Sequence, residues 1–150
     1  MARWSLIKES LAWAGLGLLF ALAGCGGQPP LTPVSGVVRC EDQPVAGVVV
    51  TFIPEADGSG RFCSVAMTDE QGEFTLATMD RQPGALPGVH RVTIEDLSIQ
   101  QAPRAPDGTV LKLPPQRFAP RYSLPQQSPL TCDIRPQRES QRVEVEVTKQ

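Results

Sequence analysis

The sequence predicts an all-β fold, a seven-stranded antiparallel sandwich. Three observations carry this. Several runs alternate apolar and polar residues with period two, the spacing that turns one side of a strand toward a core. Turn residues recur about every ten positions. Beyond the N-terminal region, no stretch keeps a 3.6-residue apolar period over three turns, as a helix packed on a core would.

The elements follow in order. Residues 34–40 (VSGVVRC) are short and β-branched, and Glu41, Asp42, Gln43 and Pro44 break the run. Residues 45–53 (VAGVVVTFI) place Val48, Val50 and Phe52 on one face, and Pro54 ends them before a loop at 55–60. A third strand is expected at 61–68. The sequence Asp69-Glu70-Gln71-Gly72 then reads as a turn. A fourth strand at 73–76 points Phe74 and Leu76 inward, and a fifth at 89–94 aligns His90, Val92 and Ile94. Residues 130–134 alternate. Residues 142–147 (RVEVEV) do so most cleanly, with valines toward a core and glutamates toward water. Between 100 and 129 the chain carries Pro103, Pro106, Pro114, Pro115, Pro120, Pro125 and Pro129. Proline cannot donate to a ladder, so this segment reads as a long excursion.

The chain has 150 residues, a formal net charge of −2 and one His. That length suits one domain of roughly 115 residues plus an appendage. The charge argues against a nucleic-acid partner, which requires a basic stripe. One His excludes any site needing two imidazoles from a single chain.

The appendage is the N-terminus. Arg3 and Lys8 precede the apolar run 11–23 (LAWAGLGLLFALA), which Gly24-Cys25-Gly26-Gly27 closes. A positive start followed by a short apolar stretch is the layout of an export signal. The run falls short of the roughly 20 residues of a membrane span. Leu22-Ala23-Gly24-Cys25 resembles the bacterial lipobox. The resemblance implies a diacylglycerol on the Cys25 thiol, an added acyl chain, and cleavage of residues 1–24. Two or more chains hold a protein stably on a bilayer where one does not. The other reading is an ordinary signal peptide with an incidental Cys. Cleavage would remove Arg3, Lys8, Glu9, Trp4 and Trp13, leaving 12 basic and 15 acidic residues, net −3, and no Trp. Residues 25–33 read as a Gly/Pro-rich tether. Gly26 is not the Asp that retains such proteins on the inner membrane of two-membrane bacteria, so by resemblance the outer membrane is favoured.

Four segments align with one pattern: VSGVVRCEDQPVAGVVVTFIPE at 34–55, TDEQGEFTL at 68–76, GALPGVHRVTI at 84–94 and RFAPRYSLPQQSPLTCDI at 117–134. Together they resemble the carboxypeptidase regulatory-like family, with its transthyretin-like sandwich, over residues 34–148. The most specific part is TDEQGEF, close to the family's Thr-Asp-x-x-Gly-x-Phe. The resemblance implies a two-sheet sandwich acting as an accessory, adhesive or binding module, and implies no reaction. The chain departs from the pattern at His90, where Tyr is common, and at Cys40 and Cys132, where apolar residues are usual.

Each candidate site has two readings. His90 is a ligand or base, or a packed or rim histidine in phase with Val92 and Ile94. The turn 69–73 is a calcium loop, which would need several oxygens, or a hairpin in which Asp69 bonds its own backbone and Gly72 takes a positive φ. Cys40, Cys63 and Cys132 leave at most one internal disulfide, and buried free thiols are the alternative. Phe118 and Tyr122 stack on a sugar or peptide, or fold back onto the sandwich. No catalytic set, metal site or cofactor is expected.

The expected function is a lipid-anchored cell-envelope protein. It carries one non-enzymatic sandwich with a structural or binding role, and meets the membrane through Cys25 and an envelope protein or glycan as partner. The alternatives are a carbohydrate- or peptide-binding surface module and, more distantly, a transthyretin-like hydrolase. That hydrolase uses several His and a C-terminal Tyr-Arg-Gly-Ser, whereas this chain has one His and ends EVTKQ.

Overall fold

The computed structural model describes residues 30–56, 61–98, 100, 102–112 and 114–149. The apolar run at 11–23, Cys25 and most of the expected tether lie outside them. Among the described residues no helix is long and apolar enough to cross a membrane.

The described residues form nine strands in two sheets, an all-β architecture. In the smaller sheet β1 (Val34–Cys40) is flanked on one edge by β2 (Gln43–Pro44) and β5 (Glu73–Thr75), and on the other by β9 (Gln141–Val147). The larger sheet runs β6 (Ala77–Thr78), β4 (Ser64–Met67), β3 (Val48–Pro54), β7 (Gly88–Asp96), β8 (Thr131–Ile134).

Alternation sets the core. Val34 and Val38 of β1, and Val143, Val145 and Val147 of β9, are buried from the smaller sheet. Val48, Val50 and Phe52 of β3, His90, Val92 and Ile94 of β7, and Ile134 of β8 are buried from the larger. Gly36 interrupts the valines of β1 for a steric reason. A Cβ there would overlap the Val143 carbonyl oxygen and stand 2.6 Å from Phe74 Cζ. The Phe74 ring occupies the space a side chain would need.

Four features differ from the sequence expectation. The sandwich is not wholly antiparallel: β1 and β9 run parallel over seven residues, from Val34↔Gln141 to Cys40↔Val147. β8 finishes at the end of the sandwich where β1 starts, so the short connection 135–140 sends β9 off in the direction of β1. The strand expected at 45–53 starts at Val48, because Gly47 turns the chain at φ +69°. The third strand is only Ser64–Met67, since 61–62 form a turn. The fourth is split between sheets: β5 pairs with β1, β6 pairs with β4, and buried Leu76 is the corner. Leu76 donates its N–H to Val34 O at 2.9 Å and accepts from Gly84 N at 2.8 Å, so its backbone is satisfied where the chain changes sheets.

The sandwich therefore has a near end and a far end. The near end gathers the incoming chain at 30–33, the 79–87 connection and the 135–140 connection. The far end carries the Glu41-Asp42 turn, the Asp69–Gly72 turn and the base of the excursion.

Candidate functional site

Cys25 lies outside the described residues, but the place where its segment joins the fold is well defined. Thr32 is 1% exposed. Its backbone exchanges two hydrogen bonds with Ala85, each 2.9 Å. Its hydroxyl donates to Arg135 O at 2.8 Å and accepts from Gln137 N at 3.3 Å. Gln141 N, at the start of β9, donates to Pro33 O at 2.8 Å. One small residue thus ties the incoming chain to both near-end connections. Sequence reasoning placed Thr32 in the tether, because a Thr between prolines carries no periodicity. Gly84 completes the clamp at φ +109°, where a Cβ would overlap the Thr32 carbonyl oxygen. Beside it opens a depression of about 400 Å³, walled by Pro30, Leu31, Pro33, Pro87, Pro136 and Arg138.

The Pro-rich excursion closes on itself at its tip and is fastened to the sandwich at its return. At its tip Arg104 and Val110 bridge around a turn in which Asp107 Oδ1 accepts from Thr109 N at 2.9 Å. At its return, Arg117 meets Asp96 through two hydrogen bonds, at 2.7 and 2.6 Å, and donates to Ala46 O at 2.7 Å. Phe118 and Tyr122 follow, the latter in a 3₁₀ turn at Pro120–Ser123. The two rings are 4% and 3% exposed and meet edge-on, with centroids 6.4 Å apart. Tyr122 Oη lies 3.0 Å from Thr148 Oγ1. Neither ring presents a face to a sugar or peptide. Of the two readings of these rings, their burial favours the one in which they fold back onto the sandwich, and it speaks against exposed stacking on a ligand.

Burial opposes ionisation of Asp96, but the Arg117 hydrogen bonds, the Ser98 N–H and the Arg117 charge outweigh it and hold the carboxyl below its ordinary range. A carboxylate depressed in the fold stabilises above its unfolded pKa, and that stabilisation fades as pH falls through the folded value. We expect Arg117→Ala to cost only about 1 kcal/mol, since the pair is partly solvated, yet to speed limited proteolysis within the excursion several-fold. Wild-type cleavage should accelerate below about pH 4, and the variant's should change less. Equal cleavage of both proteins at neutral pH would refute the staple.

His90 is fully buried on the inner face of β7. Its Nε2 lies 2.7 Å from Leu86 O and its ring centroid 5.9 Å from that of Phe52. Its Nδ1 has no partner. Cys132 stands opposite His90 in the β7–β8 ladder, and burial, with the Asp133 charge second, pushes its thiol pKa up, away from the thiolate a nucleophile needs. Cys40 and Cys132 carry free thiols. Cys40 sits at the far end beside Val147 and Cys132 toward the near end beside His90, so the fold keeps them apart. At the acidic turn, Asp69 Oδ1 accepts from Gln71 N at 2.9 Å and Glu73 N at 2.8 Å, with Gly72 at φ +72°. Asp69 organises a hairpin there. Among the described residues no three His, Cys, Asp or Glu stand together to hold a metal.

Comparison with known protein families finds no match, and none of the curated proteins matches the chain.

Proposed function

We propose that this chain is a bacterial lipid-anchored envelope protein. Its single sandwich, of the carboxypeptidase regulatory-like type, serves as a binding or structural module without catalysis. The observation that carries the reading is the spacing between the lipobox-like Cys25 and the Thr32 clamp. Seven residues after the expected lipid site the chain is already buried and hydrogen-bonded. Such an arrangement suits a rigid body held close to a bilayer by a short leash. The chemistry of the site supports a non-catalytic role. Asp69 is committed to a turn, Asp96 to Arg117, and the Cys132 thiol is held protonated. With Phe118 and Tyr122 in the core, a glycan or peptide partner would have to meet the outer surfaces of the sheets.

The test is metabolic labelling with a fatty acid. Native chain should take up label and partition into detergent. Cys25→Ala should lose the label entirely and keep residues 1–24. Equal labelling of both would overturn the anchor.

A further inference from the structure

We infer that the near end of the sandwich rests on the anionic headgroups of the bilayer that holds the lipid on Cys25, with Arg81, Arg135 and Arg138 as its contacts and Met79 as its apolar foot. The inference rests on the proposed lipidation and deepens it.

The first argument is reach. Only four residues separate Cys25 from Pro30, where the described chain begins, so the link is five residue steps long. A fully extended stretch of that length spans about 17 Å, so the near end cannot leave the headgroup layer by more than that. The clamp at Thr32 then fixes which surface turns toward the lipid. It bonds both Ala85, in the 79–87 connection, and Arg135 with Gln137, in the 135–140 connection. Prolines at 30, 33, 87 and 136 stiffen the same place.

The second argument is the character of what is turned there. Arg81, Arg135 and Arg138 are exposed, and Met79 is 67% exposed in the turn at 78–82. Asp80, Asp133 and Glu139 lie among them, while Glu55 is taken by Arg91 at 2.8 Å, so this end is close to neutral where the far end is acidic. The far end is acidic on balance: Asp42, Asp69 and Glu70 are exposed on its turns, while Glu41 is paired with Lys149 at 2.6 Å and Arg39 with Glu144 at 2.8 Å. A body with this polarity is oriented by an anionic surface, because arginines within a Debye length of the headgroups are attracted and the distant acids are not repelled. The sequence's slight net negative charge conceals the polarity.

The experiment uses full-length protein carrying Met79→Trp, expressed in bacteria and reconstituted into phosphatidylcholine vesicles with and without phosphatidylglycerol. Intact mass reads the underlying proposal. Loss of residues 1–24 with a diacylglyceryl adduct supports it and leaves the introduced indole as the sole Trp, whereas an unmodified chain overturns proposal and inference together. For the lipidated protein, the expected result is a blue-shifted emission, quenched at least twofold more by brominated lipid when phosphatidylglycerol is present, and reversed by salt or by Arg81→Glu with Arg135→Glu and Arg138→Glu. If the protein floats with both vesicles while the indole stays unquenched and unchanged by phosphatidylglycerol, the docking inference fails and the anchor stands.

Discussion

Phe52→Ala is expected to destabilise the sandwich by about 3–5 kcal/mol, the range for deleting a fully buried aromatic ring. Phe52 sits at the middle of β3 with no exposed surface. Its ring lies 6.2 Å from that of Phe74 in the smaller sheet and 5.9 Å from His90 on the neighbouring strand. It therefore touches both layers and the one core imidazole. Removing it opens a void that the surrounding β-branched residues are too stiff to fill. The loss also strips packing from His90, whose Nδ1 already lacks a partner. Domains of this size are stable by about 5–15 kcal/mol, so the variant should be partly unfolded at physiological temperature. Phe52→Leu, which keeps most of the volume, should cost less than half as much. Urea unfolding followed by circular dichroism would measure both. Equal midpoints for Phe52→Ala and wild type would show that the two sheets do not meet at this ring.

Gly36→Ala should cost about 3 kcal/mol, at the upper end of the range for overpacking. The obstacle is twofold. On one side a Cβ meets the Val143 carbonyl oxygen, which belongs to the ladder joining β1 to β9. On the other it meets Phe74 Cζ at 2.6 Å and Val143 Cγ2 at 2.8 Å. The ring could swing away only by vacating the core, and the carbonyl only by opening the ladder. A fall in thermal midpoint of about 10–15 °C is the expected reading. Pairing Gly36→Ala with Phe74→Leu should recover part of it, because the smaller side chain clears one of the two obstacles. A double variant no more stable than Gly36→Ala would place the strain on the carbonyl alone.

Much of the architecture was legible where valines alternate. The inward sets Val143, Val145 and Val147, then Val48, Val50 and Phe52, then His90, Val92 and Ile94 could be read from spacing alone, and all are buried. The hairpin at Asp69–Gly72 was legible as well, because its geometry is local and its residues act on their own backbone. What escaped depends on partners remote in the chain. The parallel match of β1 with β9 joins segments at opposite ends of the domain, and no local pattern encodes its direction. Two-residue strands such as β2 and β6 are too short to show a period. Thr32 is a clamp only because Ala85, Arg135 and Gln137 come to it. Arg117 looked like a loop residue until the fold placed Asp96 and Ala46 within its reach. Phe118 and Tyr122 lie in a proline-rich stretch without periodicity, so their burial follows from the shape of the gap they fill.

The parallel ladder between β1 and β9 bears on how such a body is made. Its central strand is among the earliest parts of the domain to leave the ribosome, and the neighbour that seals its open edge is among the latest. Contacts so far apart in sequence form slowly, since loop closure must precede any reward. Until residues 141–147 emerge, β1 lacks its longest partner and Gly36 lacks the strand laid over it. Closure of this ladder therefore has to wait for the end of the domain, an order that would suit the export proposed above, since a chain must cross a membrane before its sandwich shuts.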